Sequence, residues 1–569
     1  MDYNQLTSFY NKLESTTKRL EKTKLLAEFL KSIKDHKDKS IIYLLRGRLF
    51  PDYDRRDMGV SEQLVIKVIS KASGVTTEQV TKKWKSIGDL GSVAQELIKL
   101  KKQQTFSTQR LTVEKVLDNL RMLTEMTGKG VIDKKLALII ELLTSASPIE
   151  AKFLVRTLLG DLRIGLGEGV LRDAITQSCF SKDDKEAAKL VEEAYNSSTD
   201  FVKVFERALK GRDELKQAEL QPGRPVKVML FLKVSDVKEG FEVVGKPAAL
   251  EFKYDGFRMM INKDEKGRVK IFTRRLEEVT NQFPEVVDYV NNYVKAQNFI
   301  LDSEAVGFSR DTGKYKPFQE ISQRIKRKYN IAELSHELPV EINVFDILYY
   351  NGKSLLNEPF KKRRELLEKI VKGKRWELVL ANQLITGDEA KAQEFYERAV
   401  SEGEEGVMIK SLEAPYKPGA RVGYGVKLKP IANEFDLVII KAEYGTGKRS
   451  GWLTSYTVAC RDGRSLLEIG KVSTGLKEKS DEGLSFEEVT KRLKPLIKSE
   501  HGREVTVKPD IVATITYQNI QKSPSYSSGF ALRFPRFTAL RPDRSVSDIA
   551  TLDEVKRDYA KAEGKVFKQ

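Results

Sequence analysis

Residues 251–258 read Glu251-Phe252-Lys253-Tyr254-Asp255-Gly256-Phe257-Arg258, a lysine at the end of a strand-like run with an acid two residues on and an arginine five on. A lysine amine attacks phosphorus only when neutral, and nearby cations and a partly dehydrated pocket are the known means of lowering its pKa. The chemistry open to Lys253 is therefore nucleophilic attack on a phosphate. Taken alone, the segment reads also as a surface strand with alternating charges.

Further segments follow in order. They are Asp302-Ser303-Glu304-Ala305-Val306, Phe345-Asp346, Glu405-Gly406-Val407-Met408-Ile409-Lys410 and Lys427-Leu428-Lys429, and later Arg533-Phe534-Pro535-Arg536-Phe537 with Arg541-Pro542-Asp543-Arg544. With Lys253 to Arg258 as KxDGxR, this series resembles the six motifs of the nucleotidyltransferase superfamily of ATP-dependent DNA ligases and mRNA capping enzymes. The N-terminal stretches LLRGRLFPDYD and FLVRTLLGDLRIGLGE look like the DNA-binding domain of archaeal and eukaryotic replicative ligases, so the resemblance covers nearly the whole chain. Two positions depart from the family pattern. Arg544 stands where lysine is frequent, and Val228-Met229-Leu230-Phe231 replaces Pro-Met-Leu-Ala at the domain junction.

The resemblance implies that Lys253 attacks the α-phosphorus of ATP to form a lysyl-AMP, with Mg²⁺ (or Mn²⁺ as a substitute) offsetting phosphate charge. AMP would pass to the 5′-phosphate of a nick in duplex DNA, and the 3′-hydroxyl would then displace it. Glu251 resembles the residue that reads the adenine amino group and Phe345 the one that stacks on the base. Glu304 resembles the ribose-contacting acid and, with Glu405, a metal ligand. Arg258, Arg274, Arg421, Lys427 and Lys429 would surround the phosphates, although Arg274 and its neighbour Arg275 read also as solvated charges. Arg533, Arg536, Arg541 and Asp543 would meet the leaving pyrophosphate, which requires the C-terminal domain to swing between two positions. Gln103 followed by Phe106 stands where such ligases often dock on a sliding clamp, and reads also as a polar loop ending in one core phenylalanine.

These residues need a frame. From residue 1 to 215 apolar positions recur at helical spacing, as in Leu6, Phe9, Tyr10, Leu13, and Ser147-Pro148 with Glu150 predicts a capped helix start that Gly160 ends. Gln221-Pro222-Gly223-Arg224-Pro225 then breaks the pattern. Strand-like runs such as FILDSEAVGF and VEINVFDILYY alternate with helical ones over 222–429, and short strands separated by glycine and charged turns fill 430–569. The expected architecture is a multidomain chain: an all-α DNA-binding domain (1–215), an α+β adenylation domain (222–429) and a C-terminal OB-fold β-barrel (430–569). Two glycine-rich stretches fail as nucleotide loops. Around Gly445-Thr446-Gly447-Lys448, Ala442 and Arg449 replace the first glycine and the hydroxyl of a Walker loop, and Gly165-Leu166-Gly167-Glu168-Gly169-Val170 breaks the Rossmann spacing. Arg163 and those glycines read either as a phosphate-facing helix entry or as a plain turn.

Composition narrows the class. The 569 residues carry 100 Lys plus Arg against 82 Asp plus Glu, a net charge of +18, and the excess is spread over all three segments. That suits a polyanion met by every domain. The two cysteines, Cys179 and Cys460, cannot form a four-cysteine zinc module, which disfavours NAD-dependent ligases, and they fit a reducing compartment. No apolar run approaches a bilayer span and no signal peptide opens the chain, so an intracellular protein without membrane contact is expected, cytoplasmic and nucleoid-associated if prokaryotic; a monomer is expected as well. The rival enzyme is an RNA ligase or capping guanylyltransferase, which has little need of a 215-residue helical domain. A non-catalytic nucleic-acid clamp is the rival from another class, and the intact Lys253 argues against it.

Overall fold

The structure is a computed structural model. It describes residues 1–562 except 55, 101–109, 218–219, 317, 326, 328, 431–432, 446–448, 450 and 479–483; Gln103 and Phe106 lie outside the described residues. The chain divides into two compact units, Met1–Phe395 with Met408–Lys427, and Tyr396–Val407 with Leu428–Gln569.

The first unit begins with helices alone: thirteen run between Tyr3 and Lys216 among the described residues. Ser147 and Glu150 form the expected capping box, Pro148 opens the helix, and the chain leaves it through Gly160 at φ 67°. That helix, Pro148–Leu158, is buried throughout from Glu150 onward. It therefore takes its charges into the core already paired: Lys152 with Glu14 at 2.8 Å, and Arg156 with Glu14 at 3.0 Å and Asp89 at 2.8 Å. Asp89 also caps the helix Leu90–Lys99 through the N–H groups of Gly91 and Ser92. Burial raises the pKa of the Asp89 carboxyl, but the Arg156 and Ser92 bonds outweigh it and hold the group at about 2.

Two sheets complete this unit. Four strands carry most of the site: β1 (Ala248–Phe252), β2 (Phe257–Lys263), β3 (Phe299–Ser309) and β4 (Val340–Tyr350). β1 lies in a five-stranded sheet in the order 230–234, 421–428, 407–411, β1, 383–386. β2, β3 and β4 are the centre of a seven-stranded sheet. Side chains alternate between the faces of a strand, and here the alternation separates chemistry from packing. Met259 and Ile261 of β2 and Leu301 and Ala305 of β3 enter the core under the helices Pro284–Tyr293 and Phe360–Ile370. Met260 and Ile300 face the other way, toward Val228, Met229 and Tyr416. Arg258, Asp302 and Glu304 share their parity and therefore that face.

The second unit holds the OB-fold. Its strand Asn433–Tyr444 pairs with Val512–Tyr517 over its first half, with Glu504–Val507 over its second, and with Leu453–Asp462 on its other edge. Bulges at Ile439/Lys441 and Glu443/Tyr444 bend it so that one strand serves three partners. Leu437, Ile439, Tyr456, Val458 and Ile515 fill the interior, closed by the helix Phe486–Leu493 that Ser485 caps.

Candidate active site

Lys253 sits in the extended turn between β1 and β2, half-buried. The turn has a steric requirement: a Cβ on Gly256 would stand 2.3 Å from the carbonyl oxygen of Ala305, so only glycine lets β2 leave so close to β3. Tyr254, buried beside Lys253, accepts a hydrogen bond from the backbone N–H of Asn382 at 2.9 Å, tying the turn to the segment before the strand Gln383–Thr386.

Glu251, two residues before the lysine, is 2% exposed. Its Oε1 accepts from Gln383 Nε2 at 2.8 Å and its Oε2 from Lys410 Nζ at 2.5 Å, and Arg364 Nη1 lies 3.8 Å from Oε1. The Lys410 ammonium also lies 4.6 Å from the ring centroid of Phe345 and 4.8 Å from that of Phe360.

Arg258 pairs across the sheet with Glu304, and its guanidinium forks onto the fully buried Asp302, Nε to Oδ1 at 2.7 Å and Nη2 to Oδ2 at 2.5 Å. Tyr416 completes the network. Its hydroxyl donates to Asp302 Oδ2 at 2.8 Å and accepts from Met229 N–H at 3.1 Å, and Arg258 Nη1 reaches Met229 O at 3.3 Å. Burial opposes the charge on Arg258, but the Asp302 carboxylate more than offsets it and keeps the guanidinium pKa above its ordinary value. Phe345 presents its ring 5.3 Å from the same guanidinium. Arg258, Phe345, Lys410, Met229, Phe231 and Tyr416 line one small pocket. Beneath it Arg363 forks onto Asp346 at 2.7 and 2.9 Å, both side chains almost wholly buried.

The departure at the domain junction acquires a reason. Phe231 occupies the space that a Cβ on Gly425 would need, 2.6 Å from its ring, so the larger side chain packs against a glycine in the strand Arg421–Leu428. Met229 contributes backbone to the Arg258 network, a role the sequence does not advertise.

In the second unit Glu405 is paired with Lys429 at 2.5 Å and lies 3.8 Å from Arg533, which is 5% exposed. Arg541 forks onto Asp543 at 2.9 and 2.7 Å and reaches Asp436 at 2.9 Å; Arg544 meets the same Asp436 at 3.0 Å. The exposed Asp543 carboxyl is held at about 2, first by the Arg541 bonds. Arg274, Arg421 and Arg536 are exposed, and Lys427 is half-buried near the end of its strand. In the helical region Arg163 adopts φ 56° and bonds to Asp161 at 2.8 Å and Gly88 O at 3.2 Å, and Lys22 donates to Ile164 O.

Three family descriptions match in chain order: DNA ligase N terminus over residues 2–176, ATP dependent DNA ligase domain over 228–429, and ATP dependent DNA ligase C terminal region over 449–544. A DNA ligase of Nanoarchaeum equitans is 46% identical over 575 residues, covering 100% of both chains. The chain belongs to the ATP-dependent DNA ligase family. A Thermococcus fumicolans DNA ligase is 42% identical over 98% of each chain. The solved structure Pmar-Lig_PreS3 matches 94% of this chain and 99% of its own with a TM-score of 0.55 at 18% identity, a likeness of fold. The enzyme thus uses ATP to seal nicks in DNA through a lysyl-AMP and a 5′-adenylated DNA intermediate, which sets the RNA-directed and non-catalytic readings aside. No helix among the described residues is long and apolar enough to cross a membrane.

Of the residues around this ligase's site, Lys410 and Asp302 lie inside recognisable motifs without an expected role. Gln383, Arg364 and Tyr416 lie outside all of them, as does Asp436 in the second unit. Only the folded chain brings each of these to its own partners.

Proposed function

We propose that Lys253 is the nucleophile, and that it is positioned by the turn between β1 and β2. The observation that carries this is the convergence at that turn of the buried Glu251, the Gly256 approach to β3 and the Arg258–Glu304 pair. Lys253 Nζ forms a bond to the α-phosphorus of ATP as the bond to the pyrophosphate oxygen breaks. Glu251 reads the adenine amino group, and Phe345 stacks on the base. Glu304 binds the ribose. Arg258, Arg274, Arg421, Lys427 and Lys429 offset phosphate charge, with Arg258 oriented by its fork onto Asp302. Arg533, Arg536 and Arg541, the last braced by Asp543, meet the pyrophosphate when the OB-fold closes. The 5′-phosphate oxygen of the nick then displaces Lys253 from AMP, and the 3′-hydroxyl displaces AMP in turn.

Glu304 and Glu405 would hold Mg²⁺, with Mn²⁺ serving in its place, to offset charge on the phosphates. Carboxylates suit this ion, which is commonly held through one or two of them plus substrate phosphates and needs no larger cage; no group of three or more His, Cys, Asp or Glu among the described residues forms one. The domains divide at 1–215, 222–429 and 430–569. The enzyme works as a monomer on intracellular, nucleoid DNA, with Gln103 and Phe106 offered to a sliding clamp. Unchanged clamp affinity in Phe106→Ala would remove that last element.

The test of the catalytic assignment separates the steps. Lys253→Ala abolishes adenylylation yet seals a nick supplied with a pre-formed 5′-adenylate. Adenylylation that survives the substitution sinks the assignment.

A further inference from the structure

Three donors stand against the Glu251 carboxylate: Gln383 Nε2, Lys410 Nζ and, just beyond bonding distance, Arg364 Nη1. A protonated carboxyl would aim its O–H at one of these N–H groups, so the surroundings admit Glu251 as an acceptor only. The donors are themselves fixed. Lys410 is 6% exposed and sandwiched by Phe345 and Phe360, and Arg364 is 9% exposed, with Nε on Glu368 at 3.1 Å and Nη2 on Ala381 O at 3.1 Å. Arg364 Nη1 is buried and makes no hydrogen bond among the described residues. A buried cationic donor left without a bond is costly unless a nearby negative charge compensates it, and the nearby charge here is Glu251.

We propose that Lys410, Gln383 and Arg364 are positioning residues that fix Glu251 as an acceptor-only carboxylate, and that this clamp sets which purine nucleotide the ligase accepts as its AMP donor. The inference rests on the reading of Glu251 as the base-recognising group. A carboxylate has about four lone-pair sites, and the two hydrogen bonds from Gln383 and Lys410 leave room for one N–H from a base. Adenine offers an N–H from its C6 amino group. Hypoxanthine and guanine offer a carbonyl oxygen there, and two acceptors then face one another. With the clamp loosened, the carboxylate is free to turn away from the base edge, and the preference falls. Sites built to bond a substrate N–H or O–H reject analogues lacking it strongly, because their own polar groups are left unmatched.

The experiment measures self-adenylylation by ATP and self-inosinylation by inosine triphosphate, both labelled at the α-phosphate, on the full chain. The quantity read is the ratio of the two kcat/KM values. Glu251→Gln tests the base-reading assignment and should collapse the ratio. Lys410→Met and Arg364→Met should lower it by about tenfold or more through KM for ATP, and Lys410→Arg should restore it to within about threefold. Gln383→Leu, which leaves both cations in place, should lower it less and guards against a misfolded variant. A purely structural role would depress both donors alike and leave the ratio where it was. If Glu251→Gln collapses the ratio and the clamp variants do not, the clamp is refuted and base reading stands. If Glu251→Gln leaves the ratio unchanged, base reading fails and the clamp with it.

Discussion

Replacing Asp302 by asparagine tests whether the Arg258 network holds this face of the sheet together. The change keeps the shape and removes the charge. Asp302 is 0% exposed and takes two bonds from Arg258 and one from Tyr416. An asparagine would direct an NH₂ group at one of those donors and leave the buried guanidinium without its counter-charge. Breaking such a pair from one side costs about 3–5 kcal/mol. With an m-value of about 3 kcal/mol/M in urea for a region of this size, the midpoint should fall by about 1–1.7 M. The chain has three tryptophans, Trp84, Trp376 and Trp452, one in each expected domain. In a Trp84→Phe/Trp452→Phe background the fluorescence of Trp376 therefore follows the central region alone. The double change Asp302→Leu with Arg258→Met removes both charges together and should recover most of the stability, because an apolar pair of similar size can replace a buried ion pair at little cost. It should not recover adenylylation. A midpoint shift below about 0.3 M for Asp302→Asn, or a double variant no more stable than the single, would refute this account of the network.

Further outcomes follow from other parts of the structure. Gly256→Ala should reduce lysyl-AMP formation by about 100-fold or more in a single-turnover assay, since the new Cβ must push Ala305 or the turn carrying Lys253 aside; a loss under threefold contradicts the close approach. Asp89, held at about 2 against an ordinary 3.8, has a depressed folded pKa, so its contribution is complete above pH 4 and disappears as pH falls from about 4 to 2. It amounts to about 2–3 kcal/mol, and acid titration of Trp84 fluorescence should lose that segment in Asp89→Asn. Arg363→Met strands the buried Asp346 and should lower the Trp376 urea midpoint by about 1 M or more, whereas Arg274→Met, at an exposed turn, should move it by less than about 0.2 M.

Much of this was legible in the residues because it is local. The capping box at Ser147 and Glu150, the breaker before Val226 and the strand-like run at Phe299–Ser309 each depend on a few neighbouring side chains, and the structure has a capped helix, an end to the helical run and a strand there. Motif order also singles out Lys253, Glu251, Glu304 and Phe345. What could not be read was how their partners converge. Tyr416 lies 114 positions from Asp302, and Lys410 lies 159 from Glu251; no spacing rule reaches that far. Arg258 shows the consequence. Its type and motif indicate a phosphate cation, and the structure adds that it is forked onto Asp302, which orients it. Asp436, which meets Arg541 and Arg544, is likewise visible only once its strand has paired.

The central claim is that Lys253 carries AMP on the way to a nick. The full chain should be incubated with α-labelled ATP and Mg²⁺, denatured and digested, the labelled peptide sequenced, and a parallel sample chased with nicked duplex DNA before sealing is complete. The account predicts one acid-labile AMP on Lys253, moving to the 5′-phosphate at the nick at the rate at which label leaves the protein. Label on another residue, or label on Lys253 that nicked DNA does not discharge, would contradict it.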